Sequence, residues 1–278
     1  MNKKSKSPRK WFEGHFFKHF HKGKTVAFIP GISEEGGNIQ VITDKKTFLF
    51  RFPEGQMGEV ISIGDSVFTN DGIKVNLPGI SGQVKYTNTT PLNYAFMGYL
   101  KYLPLECRHE IISIRHDLEG SITIEGEEYD LNGGVGYHEK DSGTQFPAKH
   151  LWVQCNNFKN TDVAIMLSIA SVPILGIPVR GSICLINIEG KEHRLSTYLG
   201  ALTRLTDTRI ELRQFNKHIA VEILDFGDFH QLVSASNGNM VEPLDETNNA
   251  KMRFIFSVNG NVKFDLTSDY VGYERRHL

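Results

Sequence analysis

Gly136–Phe158, GYHEKDSGTQFPAKHLWVQCNNF, packs more chemically capable side chains between two apolar runs than any other stretch of this chain. His138, Glu139, Lys140 and Asp141 come first. A Gly-Thr-Gln-Phe-Pro turn follows, and a strand-like run then carries Trp152, Gln154 and Asn156. Successive side chains of an extended segment point to opposite faces. His150, Trp152, Gln154 and Asn156 therefore share a polar face with one large aromatic, and Leu151, Val153 and Cys155 share an apolar one. The stretch reads as β structure that joins two similar halves and lines a cavity. Its Trp/Gln/Asn face either turns inward onto a ligand, or Gln154 and Asn156 face solvent or satisfy a neighbouring loop.

The chain on either side has the same character. Long segments with apolar residues at helical spacing are lacking, and short strand-like runs recur between Gly, Asn and Asp. Thr25–Ile29, Ile39–Ile42 and Thr47–Phe52 are such runs. Asn70-Asp71-Gly72 before the alternating Ile73, Val75 and Leu77 is a strong turn signal. Arg209–Gln214 and His218–Leu224 flank a polar turn in the same way. The predicted fold is all-β, two tandem antiparallel β-barrels or sandwiches with few short helices. A faint internal match supports two related units. It sets His15 on Trp152 and Val26-Ala27-Phe28-Ile29 on Val163-Ala164-Ile165-Met166, and Asp71–Val75 resembles Asn216–Val221 in context. Asn132-Gly133-Gly134 then divides an N-terminal β domain, 11–134, from a C-terminal one, 135–278, after a disordered basic tail, 1–10. Pro91–Pro104, PLNYAFMGYLKYLP, is strongly aromatic and reads as a plug at one barrel end or an apolar lid over a cavity.

A hydrophobic share of 40% is enough for a real core, and a net charge of −1 gives no general pull towards nucleic acid. Met1–Lys10 is basic, with Lys3, Lys4, Lys6, Arg9, Lys10 and no acid. It reads as a frayed terminus, or as a weak contact with an anionic membrane surface. Three cysteines without a CxxC argue for a reducing, cytoplasmic setting and against a disulfide framework. No apolar segment of signal-peptide type follows the basic start. Pro173, Gly176 and Pro178 break the apolar run Val163–Val179, which reads as two buried strands around a Pro-Gly turn rather than a spanning helix. GxGxxG, GxxxxGK[ST], HExxH and GxSxG patterns are missing. Cys107 and His109 would share a strand face, but no matching pair follows, so no metal is expected. What remains is a cluster of Glu13, His138, Glu139, Asp141, Gln154 and Asn156. Its acids are either ordinary surface ions or carboxyl groups turned into an apolar cavity, where a raised pKa suits a general acid.

Two motifs carry a family resemblance. Trp11-Phe12-Glu13-Gly14-His15-Phe16-Phe17-Lys18 resembles the opening FEGWYFK-type motif of tocopherol cyclases and their bacterial relatives. Gly136–Pro147 followed by Leu151–Asn156 resembles their central GYxEKDWGxxFPxxWxWxQCN motif with matching spacing, and Phe264–Ser268 is similar to a closing segment. The resemblance implies tandem lipocalin-like (calycin) units and an apolar ligand, a prenylquinol or another lipid. In such a cyclase an acid protonates the prenyl double bond and the phenolic oxygen traps the tertiary cation. That chemistry implies a proton donor, an aromatic wall and a dry pocket, with no metal or redox cofactor. It casts Glu139 or Asp141 as the donor and Glu13 as a second carboxylate. Trp152 would face the cation, Gln154 and Asn156 would hold the phenolic end, and His15, His109 and His138 would complete the ligand site. His15, Ser142 and His150 stand where the family motif has Trp, so the alternative is a lipid-binding protein without catalysis.

Overall fold

The computed structural model describes residues 10–174 and 177–278. Apart from Lys10, the expected basic tail lies outside the described residues, as does Gly176 of the expected Pro-Gly turn. The described chain is almost entirely antiparallel strand. The first sheet contains β1 (Phe12–His21), β2 (Lys24–Ser33), β3 (Gly36–Thr43), β4 (Thr47–Phe52), β5 (Ile61–Ile63), β6 (Ser66–Thr69), β7 (Gly72–Leu77), β8 (Ile80–Thr87), β9 (Cys107–Ile124), β10 (Glu127–Asp130) and β11 (Val135–Gly143). The second contains β12 (Lys149–Cys155), β13 (Ala164–Ile174), β14 (Ile177–Ile188), β15 (Lys191–Ser196), β16 (Leu202–Leu205), β17 (Arg209–Gln214), β18 (Lys217–Asp225), β19 (His230–Ser236), β20 (Asn239–Val258) and β21 (Asn261–Arg276). Two short 3-10 helices, Gly98–Tyr102 and Thr197–Leu199, are the only helices among the described residues, and neither is long and apolar enough to cross a membrane.

Tight turns set the register. Lys22 and Gly23 both hold positive φ, 46° and 79°, between β1 and β2, the backbone that a two-residue hairpin matched to strand twist demands. The Asn70-Asp71-Gly72 signal closes β6 onto β7 through Thr69 and Gly72.

Each sheet curls around its own core. Ile39 and Val41 of β3 and Ile61 and Ile63 of β5, from near opposite ends of the first sheet, share one cluster with Phe17, Phe28 and Phe68. In the second sheet Leu195 of β15 meets Leu212 of β17 around Val153, Ile165 and Phe254. A third core lies between the sheets. Phe16, Ile42, Ile111 and Tyr137 of the first sheet pack there against Trp152, Met166, Leu185 and Leu244 of the second.

This third core settles what covers each face of the Trp152 strand. Leu151, Val153 and Cys155 fill the second sheet's own core. His150, Trp152, Gln154 and Asn156 lie on the outer face, yet all four are buried, because sheet-on-sheet packing covers that face.

The two sheets are counterparts in layout. β1 lies between β2 and β11, and β12 lies between β13 and β21. Val26-Ala27 and Val163-Ala164 keep the same alternation, with Val26 and Val163 in the separate cores and both alanines in the shared one. In the preceding strands, however, Phe17 and Val153 point to the separate cores while Phe16 and Trp152 point to the shared one. The true counterpart of Trp152 is therefore Phe16 and not His15, and a one-residue slip exchanges faces. The second proposed match also fails: β7 is two strands from β9, whereas β18 adjoins β20. Asn132-Gly133-Gly134 is a turn within the first sheet. Val135–Gly143 pairs with β1 and β9, so the chain crosses to the second sheet between Gly143 and Lys149, later than the expected division at 135.

The first barrel interior also holds polar groups. His19 is hydrogen-bonded to Tyr86 Oη at 2.6 Å and His116 to Ser113 Oγ at 3.2 Å. Burial pushes His19 down to about 4, against a bond to the Val26 carbonyl, and His116 down to about 3, helped by the nearby His19 and Arg115. An unfolded histidine titrates near 6.5, so unfolding takes up protons as pH falls below that value, and stability is lost between about 6.5 and the folded pKa. The His116→Phe variant removes one such group. Between pH 7.5 and 5, urea denaturation should show the wild type losing about 2 kcal/mol more than this variant. Equal losses in the two proteins would contradict the neutral, buried state of His116.

Candidate functional site

Two hollows, of about 70 and 130 Å³, open between the sheets and not inside either barrel. They share Glu139, Asp141, Phe146, Trp152 and Glu274 as walls. Small residues create the space. Gly14 and Gly31 face each other across β1 and β2 at the first hollow. Ser168, Ala170, Gly181 and Ser182 of β13 and β14 floor the second. Phe96, Met97, Leu100 and Leu105 line the second hollow from the Pro91–Pro104 segment and the residue after it. That segment thus covers a space between sheets instead of plugging a barrel end. Arg194 of β15 holds it: Nη1 donates to the Ala95 carbonyl at 2.7 Å and Nη2 to the Tyr94 carbonyl at 2.9 Å. Tyr198 Oη donates to the Phe96 carbonyl at 3.2 Å.

Strand periodicity brings the chemistry together. Tyr137, Glu139 and Asp141 share the β11 face that looks at the second sheet. Phe16 is the cross-strand partner of Glu139 on β1, and His109 that of Asp141 on β9. From the second sheet come Trp152, Glu274 and Glu246, cross-strand neighbours on β12, β21 and β20. The Trp152 indole Nε1 donates to Glu139 Oε2 at 3.1 Å, and the Tyr137 hydroxyl donates to the same oxygen. Phe16 and Trp152 meet edge to face with centroids 5.4 Å apart. His109 Nδ1 is 2.9 Å from Asp141 Oδ1. Its Nε2 is 3.2 Å from Glu139 Oε2, close enough for ion pairing but not aligned as a hydrogen bond. His150 Nδ1 is 2.7 Å from the Pro147 carbonyl, and its Nε2 is hydrogen-bonded to Glu274.

Burial decides which acids hold protons. It raises the Glu139 carboxyl above the usual range, against the opposing pull of His109 and the Tyr137 hydroxyl. Burial and then the neighbouring Glu274 push Glu246 well up, against Lys18. Burial disfavours charge on His109, but Asp141 and Glu139 outweigh it and raise His109 well above its ordinary value. His150 is likewise raised, the Glu274 carboxylate overcoming burial. Glu13 moves the other way. The His15 ring, with Nε2 3.7 Å from Glu13 Oε1, lowers it, burial opposes, and Lys140 at 3.0 Å lowers it further. Glu13 is therefore an ionised partner of Lys140 and no proton donor. Donor atoms of His109, Glu139 and Asp141 lie within 4.8 Å of one another, so these three could ligate a cation. The sequence offered no sign of such a set because it comes from two strands. Two hydrogens aimed at Glu139 Oε2 and one shared by His109 and Asp141 arrange the same cluster for proton chemistry.

Of the residues expected at the site, Glu13 and His15 line the first hollow, His109 the second, and Glu139, Asp141 and Trp152 both. His138, Gln154 and Asn156 line neither. His138 turns into the first barrel, stacked on Phe17 at 3.9 Å and hydrogen-bonded to His15 at 2.9 Å. Gln154 accepts from Lys18 Nζ at 3.0 Å, and Asn156 donates to the Gly136 carbonyl at 2.7 Å. Both tie the sheets together. His150, Glu246 and Glu274 were missed. The alternation had put His150 on the Trp152 face without giving it a role, while nothing local marks the two glutamates.

Residues 78–202 are tocopherol cyclase-like, matching the model of that family. This tocopherol cyclase-like stretch contributes His109, Glu139, Asp141, His150, Trp152 and Arg194, whereas Glu246 and Glu274 come from beyond it. Kievitone hydratase from Nectria haematococca superposes with a TM-score of 0.58 at 12% identity, over 96% of this chain and 88% of that one. CghA superposes with a TM-score of 0.63 at 9% identity, over 96% and 88%. CghA in a structure with Sch210972 gives 0.58 at 8% identity, over 96% and 89%. These likenesses show a shared tandem lipocalin-like fold. No curated protein matches the sequence.

The Arg194→Ala variant tests the hold on the covering segment. Amide exchange in residues 94–103 should rise at least tenfold while the strands exchange as in the wild type. Unchanged exchange there would mean that the segment is fixed without Arg194, by the Tyr198 bond and the packing of Phe96.

Proposed function

We propose that the protein binds a prenylated phenol or a related unsaturated lipid between its two sheets and closes an oxygen onto the prenyl double bond by acid catalysis. Glu139 is the acid. The observation that carries this reading is a buried carboxyl with raised pKa on the wall common to both hollows, framed by Phe16, Tyr137 and Trp152. A neutral carboxyl can give its proton to an alkene carbon. The indole and phenyl faces favour the tertiary cation that results, by about 2 kcal/mol where water is excluded. The ligand's hydroxyl oxygen then bonds to the cationic carbon and loses its proton. His109, charged and 3.2 Å from Glu139, is placed to return a proton to it, with Asp141 fixing the ring. The family match to tocopherol cyclase-like proteins supports the reading. So does the likeness to CghA, which has been solved with Sch210972.

Glu139→Gln keeps an acceptor for Tyr137 and Trp152 but removes the acidic proton. Incubated with a prenylquinol, this variant should turn over about 10²–10⁴-fold more slowly while native mass spectrometry shows the ligand still bound. Wild-type turnover should decline as pH rises through the raised Glu139 pKa, because the donor form disappears. Wild-type turnover in Glu139→Gln would sink the assignment. A wild type that binds ligand without converting it would establish a carrier in place of an enzyme.

A further inference from the structure

The acid reading leaves a second proton-handling pair unused. Glu274 lines both hollows, as Glu139 does, but from the opposite sheet. Trp152 links the two: it is the cross-strand partner of Glu274 and donates its indole hydrogen to Glu139. A ligand lying along the shared wall meets both carboxyl groups.

His150 fixes the state of this pair. Its Nδ1 faces the Pro147 carbonyl at 2.7 Å. A carbonyl only accepts, so Nδ1 carries a hydrogen. Nε2 then shares a single proton with Glu274 Oε1. The Phe146 ring lies 6.2 Å from the imidazole, centroid to centroid. Of the neighbouring groups, Arg276 is paired with Glu242 at 2.9 Å, and Glu246 is hydrogen-bonded to Asn248 at 3.2 Å. His150 Nε2 and Glu274 thus form a dyad whose carboxylate is oriented by a doubly bonded ring, facing the second hollow through His150 and both hollows through Glu274.

We propose that this dyad is the base of the reaction, with Glu274 taking the proton from the ligand's hydroxyl and His150 orienting and stabilising the carboxylate. The inference rests on the acid role of Glu139. The O–H bond of Glu139 breaks as a C–H bond forms at one alkene carbon. A C–O bond forms at the other carbon as the hydroxyl O–H breaks and its proton passes to Glu274. The ligand is isomerised and no oxidant or reductant takes part; Glu274 releases its proton to solvent, and His109 returns one to Glu139 and is reprotonated from solvent before the next turnover. The dyad also locates the oxygen end of the ligand at the His150 side of the shared wall. Gln154 and Asn156, given that task on sequence grounds, are occupied in holding the sheets.

Turnover of a prenylquinol in heavy water separates the two steps. In the wild type, deuterium enters the prenyl chain and the ring closes. In Glu274→Gln the acid step survives, so deuterium should still enter the recovered open-chain ligand while ring closure falls about 100-fold or more. His150→Gln should show the same uncoupling to a smaller degree, and it is the variant to read if Glu274→Gln does not fold. Deuterium entry and ring closure falling together would assign the pair a structural role and overturn the proposal, as would ring closure at the wild-type rate. A wild type that binds the ligand but neither takes up deuterium nor closes the ring would bring down the acid reading beneath it.

Discussion

The chemistry of this molecule depends on one packing event, the outer face of the first curled sheet lying on the outer face of the second. In an isolated half, the outer faces of β11 and β12 would be wet, and Glu139 would titrate like any surface carboxylate. Packing dries them. Phe16, Tyr137 and Trp152 are large aromatics, each burying roughly 150–250 Å², and at about 25 cal/mol per Å² each contributes on the order of 4–6 kcal/mol of transfer free energy. That gain offsets the cost of enclosing Lys18, Gln154 and Glu246 at the same interface. Lys18 records the cost: burial takes its ammonium down to about 8, with the Cys155 thiol and the Glu246 and Glu139 carboxyls opposing the shift.

Functional residues follow from which face of each strand meets the interface. On β11, Glu139 faces the other sheet and its neighbour His138 faces the first core, although both belong to one motif. The sequence motif could not separate them, because alternation defines two faces without saying what covers either. In a simple barrel one face meets a core and the other meets water. Here several strands have a core on both sides, and a polar row such as His150, Trp152, Gln154 and Asn156 is compatible with burial because Trp152, Gln154 and Asn156 bond across the interface and His150 bonds to Glu274 and the Pro147 carbonyl.

What was legible in the sequence is what is local. Hairpin turns such as Asn70-Asp71-Gly72 are written in adjacent residues, and so is the period-two pattern, so the all-β fold with two related halves could be read. Glu139, Asp141 and Trp152 could be found because they lie in one motif. Glu246 and Glu274 reach the site only through pairing of the long strands β20 and β21 with β12, and no short-range pattern announces such pairing. Asn132-Gly133-Gly134 looked like a boundary because a hairpin turn and a linker use the same residues. Only the pairing of Val135–Gly143 with β1 and β9 distinguishes them.

His15, Ser142 and His150, which stand where the motifs this chain resembles have tryptophan, are not equivalent in the structure. His15 is hydrogen-bonded to His138 on the barrel side of β1. Ser142 lies between Glu13 and Arg108 in the strand register, near the end of the β11 pairing. Neither replaces an aromatic surface next to Glu139, where Phe16, Tyr137 and Trp152 supply three rings. His150 differs, because it stands on the second hollow and binds Glu274. An indole nitrogen there could only donate, whereas an imidazole both donates and accepts. Substitution at this position therefore exchanges an aromatic wall for a group that can carry a proton. The aromatic wall on the Glu139 side stays complete, and the group that can carry a proton lies on the opposite sheet, at the second hollow.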